Sequence, residues 1–134
     1  EIGSGLVGSE MCIRDRNIDL SSKKIIENVL KMDLMKNISH AKTLHEYEFS
    51  SIIENKAYHG IIDLLVIYDD YIDIIDYKLK NFDDEAYDRQ LGLYKAYVKS
   101  KTNKPVKCHL LSIIDAKSRE VEVWKWIIIV LVKY

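Results

Sequence analysis

Apolar and polar positions are most densely patterned at residues 60–79. Gly60 opens the apolar run I-I-D-L-L-V-I, and Tyr71 opens Y-I-D-I-I-D-Y-K-L. Both runs are rich in the β-branched and aromatic residues that strands favour, which predicts two strands folded back on each other. Asp69 and Asp70 between them tolerate turn geometry. A two-residue loop makes Tyr68 face Tyr71, and the same register sets Asp63 opposite Asp76. Side chains alternate faces along a strand, so Lys78 shares the face of Asp76.

The flanking pattern predicts four further elements. Residues 17–37 carry Ile25, Ile26, Val29, Leu30 and Met32 at helical spacing behind Ser21 or Ser22 as an N-cap, the mark of a scaffold helix. Residues 43–54 read as a strand in which Leu44, Glu46 and Glu48 share one face while Tyr47 and Phe49 point the other way. Residues 83–101 read as a second helix, with Asp83, Asp84 and Glu85 at its positive end and Tyr87, Gln90, Leu91, Tyr94, Tyr97 and Val98 forming one stripe. Gln90 is the odd member, an amide on an apolar face. It is either satisfied in the core or aimed at something held between helix and sheet. After Pro105, Cys108, Leu110 and Ser112 alternate with Lys107, His109, Leu111 and Ile113, and residues 119–126 alternate again. The apolar tail at 127–134 is far shorter than the roughly 20 residues a membrane helix needs.

The chain has 134 residues, 48% hydrophobic and 31% charged, which fits one globular domain. Its net charge of −1 carries no overall signal for nucleic acid. Cys12 and Cys108 cannot form a disulfide framework or ligate a cluster by themselves, and an intracellular, reducing, cytoplasmic setting fits them. Residues 1–16 follow no helical or alternating period and hold three of the five glycines. They resemble translated sequencing-adapter read-through and are expected to be non-native. Without them the chain keeps 18 basic and 18 acidic residues.

The chemistry concentrates in the hairpin. Facing carboxylates sit roughly 5 Å apart at Cβ and repel, so a fold gains no stability from pairing Asp63 with Asp76. A hard divalent cation turns that repulsion into coordination, and Lys78 nearby can hold an attacking water or stabilise charge on a phosphate. The competing reading makes all three ordinary surface polars. Glu46 is a candidate because the acidic hairpin lies just downstream, although one acid on a polar face is commonly only solvated. His40, His45, His59 and His109 show no zinc-type spacing with the cysteines and read as structural or exposed, with His59 placed nearest the hairpin site.

These residues, in this order, resemble the PD-(D/E)xK nuclease superfamily and within it the RecB-like nuclease domain. The segments that carry the resemblance are E-Y-E-F at 46–49, G-I-I-D at 60–63, D-Y-K at 76–78 and Q-L-G-L-Y at 90–94. The likeness is strongest to the C-terminal domain of the bacterial ATP-dependent helicase-nucleases of AddA type, over residues 17–122. It implies a restriction-endonuclease-like α/β fold, a central mixed sheet flanked by helices, spanning 17–126.

The resemblance further implies that Asp63, Asp76 and the backbone carbonyl of Tyr77 bind Mg²⁺, with Mn²⁺ able to substitute. Lys78 is then the catalytic lysine, Glu46 an assisting acid with Glu48 as its rival, and Gln90 and Tyr94 brace the site and meet DNA. The implied activity is phosphodiester hydrolysis by an exonuclease on single strands, within a helicase-nuclease of double-strand-break repair and recombination. Its motor would lie on the same chain and a second helicase-nuclease subunit would be its partner, with no membrane. No iron–sulfur cluster is expected. The upstream helix and metal-ligating histidine of the family have no counterpart before His40, so the chain is expected to be a truncated piece of a longer protein, weakly active or inactive. Two alternatives stay open. One is a non-catalytic interaction module of the same fold, and the other a related enzyme such as a CRISPR-associated exonuclease.

Overall fold

The computed structural model describes residues 20–53 and 55–122. Helix α1 (Leu20–Leu30) is followed by two 3₁₀ turns (Asp33–Met35 and Ile38–His40), and these lead into β1 (Lys42–Ile53). Strands β2 (Lys56–Ile67) and β3 (Ile72–Lys78) form the expected hairpin. Helix α2 (Glu85–Lys99) crosses over to β4 (Val106–Ser112), and β5 (Lys117–Val121) closes the order. The sheet runs β1-β2-β3-β4-β5 in space. Its β3–β4 pair is parallel and the other three pairs are antiparallel, which makes it a mixed sheet.

Two apolar layers hold the sheet. On one face, Leu91, Tyr94 and Val98 of α2 pack against Phe49, Ile62, Leu65, Ile72, Ile74, Cys108 and Leu110. On the other, Met35 and its partly buried neighbours Val29, Met32 and Leu34 pack against Leu64, Val66, Ile75 and Leu111. Strand β3 is buried on both sides, as expected of a strand with a parallel neighbour and a helical crossover.

The turn is the two-residue one that the sequence implies. Tyr68 N donates to Tyr71 O at 2.9 Å, and the ladder runs from Ile67↔Ile72 to Leu64↔Ile75. Helix α2 spans Glu85–Lys99 rather than the expected 83–101: the Asp84 side chain caps it by accepting from Ala86 N at 2.9 Å, leaving Asp83 outside the helix. Pro105, which has no N–H to give a ladder, precedes β4 and accepts from Ile72 N at 2.9 Å.

The first helix ends at Leu30 rather than 37, because Met32 is extended (ψ 147°) and folds Met35 back under the sheet. Ile26 and Leu30 are exposed, so two of the five residues of the expected apolar stripe face away from the core. Ser21 and Ser22 lie inside the first turn rather than ahead of it.

Strand β1 is not a regular alternation. Glu46 has φ 49°, and Leu44, Tyr47 and Phe49 all pack into the α2-side layer. Glu46 therefore does not share a regular face with Leu44 and Glu48.

Among the described residues the last strand runs Lys117–Val121, beginning two residues before the expected start at 119. The expectations for residues 1–19, including the start of the first helix, and for 54 and 123–134 lie outside the described residues. Among the described residues, no helix is long and apolar enough to cross a membrane.

Candidate metal centre

The face change at Glu46 has a counterpart in β2. Ile62 and Leu65, three apart, both enter the α2-side layer, while Leu64 and Val66 enter the other. Asp63 sits at that break. It is also the position facing Glu46, since the β1–β2 ladder passes from His45↔Leu64 to Tyr47↔Ile62 without pairing the residues between. On its other side, Asp63 lies one step beyond the last paired residues of the β2–β3 ladder, opposite Asp76. A continued ladder would have Tyr77 N donate to Ile62 O. Instead Tyr77 N donates to Asp63 Oδ2 at 2.8 Å. The interruption thus frees backbone and hands it to a carboxylate.

Asp76 is buried, and Lys78 Nζ approaches its Oδ2 to 2.8 Å. That approach is an ion pair without hydrogen-bond alignment, and Oδ2 has no other hydrogen-bond partner. Burial pushes the Asp76 carboxyl above its ordinary range, the Lys78 ammonium beside it pulls it back, and the negative charge of Asp63 raises it again. A buried, orphaned carboxylate oxygen facing a second carboxylate suits a hard cation, for which Mg²⁺ uses one or two carboxylates and otherwise water. Among the described residues, no group of three or more His, Cys, Asp and Glu could hold a metal ion, so a cation between Asp63 and Asp76 would have two carboxylates to draw on.

The roof is α2. Tyr94 is buried, and its hydroxyl is raised first by burial and then by the charge of Asp76, while the Ile61 backbone and the Gln90 side chain lower it. Gln90 is exposed at the rim rather than enclosed in the core. Tyr77 points to the opposite layer, where burial and then Asp63 push its hydroxyl up to about 12. Gly60 makes room: a Cβ there would lie 2.7 Å from a Tyr94 ring carbon and 2.8 Å from one of Phe49.

A model of the PD-(D/E)XK nuclease superfamily matches residues 22–126. The chain belongs to that superfamily. No curated protein matches it. Among solved structures it resembles one from Eubacterium rectale named "putative exonuclease", with a TM-score of 0.58 and 13% identity. The match covers 84% of this chain and 49% of that one, so the chain spans about half the length of its structural neighbour. The mixed sheet with flanking helices is a restriction-endonuclease-like α/β fold.

Within this superfamily fold the structure brings Asp63, Asp76, Tyr77, Lys78, Tyr94 and Gln90 to one end of the β2–β3 pair. It does not bring Glu46 into polar contact with them: Glu46 is exposed and makes no described hydrogen bond or ion pair. Its rival Glu48 is engaged elsewhere, 3.1 Å from His59, which also meets Ser50 Oγ at 3.2 Å.

Three residues near Lys78 escaped the sequence reading. Tyr87 lies under its ammonium, 3.9 Å from Nζ to the ring centre. Ser112, its ladder partner on β4, has a buried Oγ without a hydrogen bond. Arg119 bonds Phe82 O at 2.6 Å and Asp88 Oδ1 at 3.0 Å, fastening the loop after Lys78 to α2. Tyr87 stood in the α2 stripe as ordinary core; its place in the first helical turn after the lysine was the available signal.

Proposed function

We propose that this domain is a Mg²⁺-dependent deoxyribonuclease that hydrolyses phosphodiester bonds in single strands as an exonuclease, with Mn²⁺ as a substitute ion. The observation that carries the reading is Asp76: a buried carboxylate, facing Asp63, with one oxygen that only an ammonium approaches. Asp63, Asp76 and the Tyr77 carbonyl are assigned to the ion. When bound, Mg²⁺ supplies Lewis-acid polarisation of the phosphate and lowers the pKa of a water.

The chain's own residues do the rest. Asp76 must be ionised to bind, so protonation of its carboxyl opposes metal binding at low pH. Lys78 offers a positive charge and N–H donors to the developing charge on the phosphate. Glu46, exposed at the position facing Asp63, assists as a solvated acid. Gln90 at the rim and Tyr94 beneath it contact the DNA strand and brace Asp76. In the intact protein we assign the domain to a helicase-nuclease of double-strand-break repair and recombination. The motor would be on the same chain and a second helicase-nuclease subunit beside it. The support for that setting is the order of the motifs at 46–49, 60–63, 76–78 and 90–94.

The test is cleavage of end-labelled single-stranded DNA with Mg²⁺ or Mn²⁺ by the wild type, Lys78→Ala and Asp76→Ala, after circular dichroism has shown that all three fold. Metal-dependent cutting that both variants lose supports the reading. A folded wild type that binds the strand but cuts in neither metal refutes it and leaves a DNA-binding module of the same fold.

A further inference from the structure

Lys78 has two partners of different kinds. Its Nζ lies 2.8 Å from Asp76 Oδ2 and 3.9 Å from the centre of the Tyr87 ring. The first partner is the carboxylate that the proposed function gives to a divalent cation. An ammonium and a metal ion that share one oxygen compete for it, since both are cations. The second partner takes no part in that competition. An aromatic face attracts a cation through its quadrupole, leaving the charge and all three N–H donors of the ammonium intact.

Tyr87 is held in place by groups other than Lys78. Asp84 caps α2 through Ala86 N, and Tyr87 N donates to Asp84 O at 3.0 Å in the same first turn. Arg119 ties that turn, through Asp88, to the Phe82 carbonyl of the loop that leads back to Lys78. The ring also packs against the α2-side layer. It is a fixed platform under a flexible side chain.

We propose that Tyr87 is a positioning residue for Lys78, whose ring retains the ammonium over the centre once a divalent cation has taken Asp76. This rests on the nuclease reading of the same site. Without the ring, a long lysine side chain released by Asp76 samples its rotamers freely, and its charge is no longer aimed at the phosphate.

The experiment compares wild type, Tyr87→Leu and Tyr87→Phe. The Lys78 ε-methylene protons, assigned by their loss in Lys78→Arg, should be shifted upfield by the ring in wild type. That shift should persist on titration with Mg²⁺, remain in Tyr87→Phe and vanish in Tyr87→Leu. With labelled single-stranded DNA at saturating Mg²⁺, Tyr87→Leu should lower kcat by about five-fold. KM and the calorimetric Mg²⁺ affinity should stay within about two-fold, and Tyr87→Phe should recover most of the loss. A merely structural role would instead lower metal affinity and stability together.

Equal kcat in Tyr87→Leu and wild type, beside an inactive Lys78→Ala, overturns the inference and leaves the nuclease reading standing. A wild type that does not cut defeats the nuclease reading, and the spectra then decide the inference. A ring-shifted methylene that survives Mg²⁺ supports it, and one that reverts to an unshifted position overturns it.

Discussion

Gly60→Ala should destabilise the domain although the backbone there is unstrained, since no described glycine has positive φ. What the glycine provides is space. An added Cβ would meet Tyr94 Cε1 at 2.7 Å and Phe49 Cε1 at 2.8 Å, closer than nonbonded carbons tolerate. Neither ring yields alone: Phe49 meets Tyr94 edge-on at 5.7 Å and stacks on Tyr97 at 4.1 Å, and Phe49 and Tyr94 are both only 4% exposed. Overpacking of this kind costs about 2 kcal/mol. Replacing a strand glycine restores about 0.5–1 kcal/mol through the unfolded chain, leaving a net loss of about 1–1.5 kcal/mol.

With a urea slope of about 1–1.5 kcal/mol/M, that loss moves the midpoint down by about 1 M. Phe49→Leu removes one obstructing ring, so the double variant should lose at least about 0.5 kcal/mol less than the two single losses combined. A midpoint unchanged in Gly60→Ala, or strict additivity in the double variant, would show that the rings are not what the glycine accommodates.

Other consequences can be checked separately. Because the folded pKa of Asp76 lies above its ordinary 3.8, the protonated form suits the fold better. Its stabilising contribution is complete below that ordinary value and is lost as pH rises through the folded pKa. Asp76→Asn should therefore gain stability relative to wild type as pH is raised from about 4, read by urea melts across pH, while calorimetry shows Mg²⁺ binding abolished. His109→Leu leaves the buried Asp73 without the ring nitrogen 3.0 Å from its Oδ1 and should cost about 1–3 kcal/mol in the same melts. Burial pushes the Cys108 thiol up to about 12, so in a Cys12→Ser background it should react with a disulfide reagent at pH 8 only as fast as the domain opens. Labelling as fast as in urea would place Cys108 at the surface.

The hairpin was legible because a two-residue turn leaves one register open to it, and Tyr68–Tyr71 follows that register. The presence of α2 was legible for a similar reason: the acids at 83–85 and the stripe behind them are local signals, though the cap at Asp84 was not singled out among them. The end of α1 was not, because Met32 leaves the helix to serve the far layer, and periodicity contains no record of a tertiary demand. Glu46 was misplaced on its face because period-two reading assumes an unbroken strand, whereas a left-handed residue resets the alternation. Proximity of Asp63, Asp76 and Lys78 followed from pairing alone. The ring under Lys78 comes from a helix packed across the sheet, so its place in the first turn after the lysine hinted at the contact without fixing it.

The reset at Glu46 and Asp63 makes one long hairpin serve as a lever with its fulcrum at the candidate centre. On one side of the reset Leu64 and Val66 load the α1 layer while Leu65 loads the α2 layer, and on the other side Ile62 loads the α2 layer. Both layers therefore bear on the backbone that carries Asp63. Loosening the remote layer, for instance by Met35→Ala, should tilt that carboxylate and register as weaker Mg²⁺ binding by a site the methionine never touches.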